Sequence, residues 1–106
     1  MHIYDIFIAY VSWGEGGKSR PVLILEQGIG VVTVFNITTR YEDKSEAVRN
    51  KYFKINNWQH AGLNQESYID TNGTVTLPQS SVELSLGTLT EDDAQRLLQF
   101  LAQQGI

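Results

Sequence analysis

The stretch Pro21-Val22-Leu23-Ile24-Leu25 carries the strongest fold signal in the chain, because five successive residues are apolar. A short run of this kind, bounded by polar or turn residues, is typical of a strand buried on both faces. Pro21 fits the first position of a strand, where no ladder hydrogen bond is lost. Gly28-Ile29-Gly30 follows and predicts a tight hairpin that leads into a second strand, Val31 to Phe35. The sequence therefore predicts an antiparallel pair at the centre of the fold.

The flanking segments predict more strands. Tyr4 to Val11 is rich in aromatic and β-branched residues, which strands prefer. Trp13 to Ser19 contains three glycines within four positions and predicts a loop. Three short strands are predicted further along the chain, with the Asn72-Gly73 turn signal between the last two: Tyr52–Ile55, Ser67–Asp70 and Thr74–Leu77.

Helical signals lie mainly at the C-terminal end. Residues 39–51 are polar and predict a long connecting loop with room for one helical turn, and residues 57–62 predict a single turn closed by Gly62. Thr90 suits the N-cap of a helix, and acidic residues follow it. The apolar spacing of Ala94, Leu97, Leu98 and Leu101 predicts a buried stripe, and Gly105 ends the helix.

These elements predict one domain spanning residues 1–106, mostly β, with a small twisted antiparallel sheet or barrel of five to seven strands closed by one C-terminal helix. A hydrophobic content of 42% argues against disorder. The chain has no cysteine, which excludes a disulfide scaffold, a thiolate nucleophile and a cysteine zinc site.

Targeting signals are not recognisable in the sequence. No apolar run approaches the roughly 20 residues that cross a bilayer, and the N-terminal apolar stretch lacks a basic leader. We therefore expect a cytoplasmic protein with no membrane association.

Charge is unevenly distributed along the chain. The formal net charge is −4, yet seven of the eight Lys and Arg residues precede residue 61. A polyanionic partner would therefore meet the first half of the chain. The alternative is that a pI near 5.0 reflects an ordinary protein surface.

Three side chains emerge as a candidate site. Glu15 and Arg20 flank the glycine-rich segment, and Thr38 ends a predicted strand. By itself this pattern is weak, because a Glu and an Arg beside a loop most often form a surface ion pair.

Four segments in the same order carry a family resemblance: Gly14 to Leu25 with its Arg-Pro before an apolar strand, Ile37-Thr38-Thr39, Ser67-Tyr68-Ile69, and Leu86-Gly87-Thr88-Leu89-Thr90. Together they resemble the MazF/PemK/Kid family of bacterial toxins over nearly the whole chain. The family places an acidic residue in a Gly-rich loop and a Thr pair at a strand end. This chain departs from it with Tyr4-Asp5 in place of Gly-Asp and with Asn36 where a proline is usual.

The resemblance implies a fold, an activity and partners. Such toxins are SH3-like barrel homodimers that cut single-stranded mRNA at short sequences without a metal ion or other cofactor, and a labile antitoxin protein silences them. Arg20 and Thr38 match the catalytic positions, and Glu15 matches an acidic residue implicated in some members. Arg20 would then stabilise charge on the phosphoryl oxygens, Thr38 would add a hydrogen bond, and Glu15 would be the base.

The charged segment after Thr39 then predicts an RNA groove. We expect RNA-binding residues both beside the glycine turn and on the long polar loop: Lys18, Thr39, Arg40, Arg49 and Lys51. The alternative is a solvated loop whose cations are balanced by Glu42, Asp43 and Glu46.

Two other functions are compatible with the same fold. A CcdB-like toxin poisons DNA gyrase through a protein contact made by its C-terminal helix, but the intact Arg20 and Thr38 positions favour the nuclease. A catalytically inactive SH3-like binding module predicts that Glu15, Arg20 and Thr38 are scattered over the surface.

Overall fold

The computed structural model describes residues 1–105, which form one six-stranded antiparallel sheet, two α-helices and a 3-10 turn. The sheet order is β4-β5-β3-β2-β1-β6. The elements are β1 (Asp5–Trp13), β2 (Gly16–Gln27), β3 (Val31–Thr38), α1 (Glu46–Arg49), β4 (Tyr52–Lys54), β5 (Tyr68–Pro78), the 3-10 turn (Gln79–Ser81), β6 (Val82–Thr88) and α2 (Glu91–Gln103). The prediction of a mostly β fold with one main C-terminal helix is confirmed.

The predicted loop from Trp13 to Ser19 is wrong in extent. Trp13 pairs with Gly16, so β1 and β2 form a hairpin with only Gly14 and Glu15 in the turn. Gly14 has a φ of 40°, which a turn glycine adopts at little cost. Gly17 lies within β2, and the position requires glycine because a Cβ there would collide with the ring of Tyr10. Glycines thus serve close packing here instead of breaking the strand.

The predicted hairpin at Asn72-Gly73 is also wrong, because β5 is one strand from Tyr68 to Pro78. Val34 of β3 pairs with Val75, whereas Asn36, two residues on, pairs with Asp70. Between these two pairs, one residue of β3 lies opposite four of β5, and the three extra residues form a bulge. A further strand, β6, was not assigned from the sequence.

The predicted turn at Gly28–Gly30 and the predicted start of the C-terminal helix at Thr90 are confirmed. The Gly28 amide donates to the Val31 carbonyl at 2.9 Å and closes the predicted turn. Thr90 caps α2, since its hydroxyl accepts from the Asp93 amide at 3.3 Å. Leu97 is fully buried, but Leu98 is 57% exposed, so the predicted stripe is narrower than expected.

The sheet has a hydrophobic cluster on each face. One face packs against α2 and the segment after β4, with Ile6, Leu23, Phe35, Ile37, Phe53, Ile55, Ile69 and Leu97 among its buried residues. The other face buries Ala9, Val11, Val22, Ile24, Val32, Val34 and Leu77, and the 3-10 turn contacts β1. Neither helix in residues 1–105 has the length and apolar character that a membrane span requires.

Candidate functional site

A row of paired residues crosses four strands on one face of the sheet, and three of its four side chains are polar. Val22 pairs with Asn36, Asn36 with Asp70, and Asp70 with Tyr52. Directly opposed residues in antiparallel strands point to the same face, about 5 Å apart at Cβ. The row therefore begins at Val22, in the hydrophobic cluster on the face away from α2, and continues into polar side chains at one end of that face.

Arg20 and Thr38 lie at the same end of this face. The β2–β3 pairing ends at Val22 and Asn36, and Arg20 and Thr38 each lie two residues beyond that pair, on the same face of the sheet. The Arg20 Nη2 atom donates to the Ile37 carbonyl at 3.3 Å, which holds the guanidinium beside the residue preceding Thr38. The structure thus brings together the two residues that sequence resemblance singled out.

The Arg20 guanidinium is half-buried and incompletely satisfied. Its Nε atom is buried without a hydrogen-bond partner among the described residues, as is the Asn36 Oδ1 atom. Burial lowers the pKa of the Arg20 guanidinium below its ordinary value, while the charges of Asp70 and Tyr52 act in the opposite direction. Arg side chains nevertheless remain protonated in proteins. A fixed cation with unused donors is suited to holding an anion.

A cleft of about 430 Å³ opens where β2 and β3 separate. Both Arg20 and Thr38 line it. The predicted RNA-binding residues Lys18, Thr39 and Arg40 line it too, together with Ile8, Ser19, Pro21, Ile37, Ser67, Leu86 and residues 62–65. The Thr38 hydroxyl oxygen accepts from the Arg40 amide at 3.1 Å, which leaves the hydroxyl proton free to be donated.

Glu15 does not reach this cleft. It is exposed at the tip of the β1–β2 hairpin, five residues before Arg20 along an extended strand. At about 3.3 Å per residue, the two lie roughly 16 Å apart along β2. Asp70 does not line the cleft either, but it is the carboxylate whose charge acts on Arg20. Its Oδ1 atom accepts from the Asn72 amide at 2.9 Å and from Asn72 Nδ2 at 2.8 Å.

Arg49 and Lys51 do not line the cleft. The Arg49 guanidinium lies over the Tyr41 ring, 5.5 Å from its centroid, and Tyr41 stacks on Tyr68 with centroids 4.5 Å apart. Tyr68 in turn pairs with Thr38 across β3 and β5. Burial and the hydrogen bond to Glu66 raise the pKa of Tyr68 above its ordinary value.

Sequence reasoning missed Asp70, Tyr52, Tyr41 and Tyr68. The available signal was the alternation around buried Ile69, since a period of two places Tyr68 and Asp70 on the same face. Burial and the negative charge of Asp70 raise the pKa of Tyr52, so its hydroxyl stays neutral near neutral pH. Within residues 1–105, no group of three or more His, Cys, Asp or Glu side chains is arranged to hold a metal ion.

The binding-module alternative predicted three scattered residues. Arg20 and Thr38 share one cleft, whereas Glu15 lies outside it. The observed arrangement therefore agrees with a site built on Arg20 and Thr38, and it separates Glu15 from them within one protomer.

Comparisons with known proteins give one family. A family model described as PemK-like, MazF-like toxin of type II toxin-antitoxin system matches residues 3–104. No curated protein matches the chain.

Solved structures with a similar fold include the Mycobacterium tuberculosis toxin MazF-mt6, which is 26% identical with a TM-score of 0.71 and 93% coverage of both chains. Another, described as an Mtb toxin, is 25% identical with a TM-score of 0.66 and covers 93% of this chain and 97% of its own. A mycobacterial endoribonuclease in complex with its cognate antitoxin shares the fold at 15% identity, with a TM-score of 0.64 and coverage of 94% and 87%.

Proposed function

The chain belongs to the PemK-like, MazF-like toxins of type II toxin–antitoxin systems, and on that premise we propose that it is a sequence-specific endoribonuclease acting on single-stranded RNA. The observation that carries the proposal is that Arg20 and Thr38, from different strands, line one open cleft. The reaction is attack of a ribose 2′-hydroxyl on the adjacent phosphate, which forms a 2′,3′-cyclic phosphate and breaks the bond from phosphorus to the 5′-oxygen. A base takes the 2′-hydroxyl proton, and solvent in the open cleft supplies the proton that makes the leaving group a 5′-hydroxyl. The chemistry proceeds without a metal ion or other cofactor.

Arg20 and Thr38 stabilise the charge that grows on the phosphoryl oxygens. The Arg20 guanidinium is anchored through Nη2 to the Ile37 carbonyl, which leaves its other N–H groups for phosphate. The Thr38 oxygen already accepts from the Arg40 amide, so its proton is directed to an acceptor in the cleft. Preorganised donors of this kind are typically worth about 3–4 kcal/mol each in the transition state.

Asp70 supplies the base that takes the 2′-hydroxyl proton. Its charge lies close enough to Arg20 to affect that guanidinium, and the two Asn72 bonds to Oδ1 orient the carboxylate and leave Oδ2 available. Glu15 stays the predicted alternative. It would reach the phosphate only if the hairpin tip bent toward the cleft or if a second copy contributed it.

Cations beside the cleft guide the RNA. Lys18, Thr39 and Arg40 border the cleft. Arg49 and Lys51 continue the positive surface beyond it and form no salt bridge within residues 1–105. Arg40 is held 3.5 Å from Asp43, so we expect it to contribute less than Arg49. Phosphate contacts from these side chains make binding sensitive to salt.

The proposal includes partners and a compartment. A similar mycobacterial endoribonuclease was solved with its cognate antitoxin, which supports an antitoxin partner for this chain. We expect the toxin to form a homodimer and to act in the cytoplasm, where mRNA is accessible.

End-mapping of RNA fragments tests the function. Purified protein is incubated with mixed-sequence RNA in EDTA, and the fragment ends are sequenced and assayed for cyclic phosphate. We expect cuts at one short motif, with 5′-hydroxyl ends, and none from Arg20→Ala. Intact RNA after incubation with the wild type would reject the nuclease, and a gyrase assay on the same sample would then test the CcdB-like alternative.

A further inference from the structure

We propose that Tyr68, Tyr41 and Arg49 form a stacking subsite for one unpaired RNA base next to the scissile phosphate; we call these three residues the tyrosine column. The inference rests on the proposed nuclease function and adds to it the residues that hold a neighbouring nucleotide. The column lies beyond the cleft lining and was not predicted from the sequence as an aromatic site.

The column begins beside the catalytic pair. Tyr68 pairs directly with Thr38, so both side chains lie on the same face with Cβ atoms about 5 Å apart. The Tyr41 ring stacks on Tyr68 at 4.5 Å with an interplanar angle of 18°, and Arg49 lies over Tyr41. Planar groups therefore continue from the proposed phosphate position outward along the polar loop.

The rings are only partly buried. Tyr41 and Tyr68 both keep part of their surface open to solvent, whereas Tyr52, which borders them at 6.2 and 6.4 Å, is 9% exposed. Tyr52 thus forms the floor. Tyr41 already has Tyr68 stacked on it and the Arg49 guanidinium over its ring, so the face left for a base is the second face of Tyr68. Stacking on aromatic rings and guanidinium planes is the common way in which proteins hold unpaired bases.

Charges around the column favour a base over a phosphate. Glu66 accepts from the Tyr68 hydroxyl at 3.2 Å and also pairs with Lys54 at 3.7 Å, while Glu42 is close enough to affect Tyr68. The remaining negative charge at the rim of the rings disfavours the sugar–phosphate backbone more than a neutral base. The phosphates are left to Arg20, Lys18 and Arg40 in the cleft and to the N–H groups at the edge of the Arg49 guanidinium.

The competing role is structural, because Tyr41 also anchors the loop between β3 and α1 by stacking on Tyr68. A structural anchor and a base subsite differ in one measurable respect. Loss of an anchor weakens the binding of every RNA equally, whereas loss of a subsite weakens only RNAs that carry a base at the position it holds.

A double-mutant cycle, in which the tyrosine ring and the RNA base are removed separately and together, tests the proposal. The probes are 2′-O-methyl RNA decamers that contain the cleavage motif mapped for the wild type, each with one nucleotide made abasic. Binding is measured by fluorescence anisotropy for the wild type, Tyr41→Leu and Tyr68→Leu. The matched variants Tyr41→Phe and Tyr68→Phe keep the ring, and circular dichroism checks that every variant is folded.

We expect one position near the cut where removing the base weakens wild-type binding roughly tenfold. In the leucine variants that penalty falls to less than about twofold, and in the phenylalanine variants it is retained. Abasic penalties that are the same in wild type and leucine variants at every position overturn the subsite and leave the nuclease intact. Failure of the wild type to cleave any RNA rejects both proposals.

Discussion

Replacing Arg20 with alanine separates the contribution of this side chain to catalysis from its contribution to folding. The side chain makes one hydrogen bond, of 3.3 Å, to a neutral carbonyl, and its buried Nε atom has no partner among the described residues. Its removal therefore costs the folded state only about 1 kcal/mol. In a chain of this length that corresponds to a fall in Tm of roughly 4–8 °C.

The transition state loses much more. A preorganised donor to developing charge is worth about 3–4 kcal/mol, so Arg20→Ala lowers the cleavage rate by at least about a hundredfold. Arg20→Lys keeps the charge but loses the planar fork, and we expect it to recover only a small part of the rate.

The assay is single-turnover cleavage of a fluorophore-quencher RNA in EDTA, with enzyme in excess, alongside thermal unfolding of the same preparations. Lys44→Ala is the matched control, because it also removes one cation from the first half of the chain but from a residue that does not line the cleft. We expect its rate to stay within about threefold of wild type. A folded Arg20→Ala protein that cleaves at the parental rate would refute the assignment of Arg20.

The remaining predictions concern the base, the groove and the helix cap. Asp70→Asn lowers the single-turnover rate by about a hundredfold or more. Glu15→Gln changes that rate by less than about fivefold, since Glu15 lies roughly 16 Å from Arg20 along β2. A larger loss of rate in Glu15→Gln than in Asp70→Asn would restore Glu15 as the base. Combined Arg49→Glu and Lys51→Glu reduces the slope of log Kd against log salt by about 1.4, or 0.7 per lost phosphate contact, in anisotropy titrations; an unchanged slope would mean that these side chains are simply solvated. Asp93→Ala destabilises the protein by about 3 kcal/mol, because buried Asp93 accepts from the Asn57 amide at 2.8 Å and from Arg96 at 2.7 Å. We expect the Tm of Asp93→Ala to be lower than that of the wild type by roughly 10–20 °C, and the Tm of Asp93→Asn to lie between the two. A fall in the Tm of Asp93→Ala of less than about 3 °C would contradict a stabilising role for these hydrogen bonds.

Local sequence patterns were sufficient to predict the elements whose contacts lie within a few residues along the chain. The apolar run from Pro21 to Leu25 and the Gly28–Gly30 turn predicted the β2–β3 hairpin, because strand and turn preferences act over a few residues. The Thr90 cap predicted the start of α2 for the same reason. Turn signals in the sequence gave a wrong prediction where pairing with a strand distant in the sequence determines the local structure. Asn72-Gly73 is a hairpin signal, yet it lies in a bulge because β5 continues along β3 on both sides.

The site was predictable only in part. Arg20 and Thr38 were identified by resemblance, and the antiparallel pairing of β2 with β3 explains why residues 18 positions apart line one cleft. Asp70 and Tyr52 join them through β5 and β4, whose pairing depends on contacts far apart in the sequence. Glu15 was grouped with Arg20 because the glycine-rich segment resembled a flexible loop. The strand pairs from Trp13 with Gly16 to Ala9 with Arg20 instead hold the hairpin extended.

The most direct test of the central claim is a crystal structure of the protein with a decamer RNA whose cleaved nucleotide carries a 2′-O-methyl group. The scissile phosphate should lie within about 3 Å of an Arg20 guanidinium nitrogen and of the Thr38 hydroxyl at the same time. A phosphate bound elsewhere on the protein, with Arg20 and Thr38 both out of hydrogen-bond range, would contradict the account.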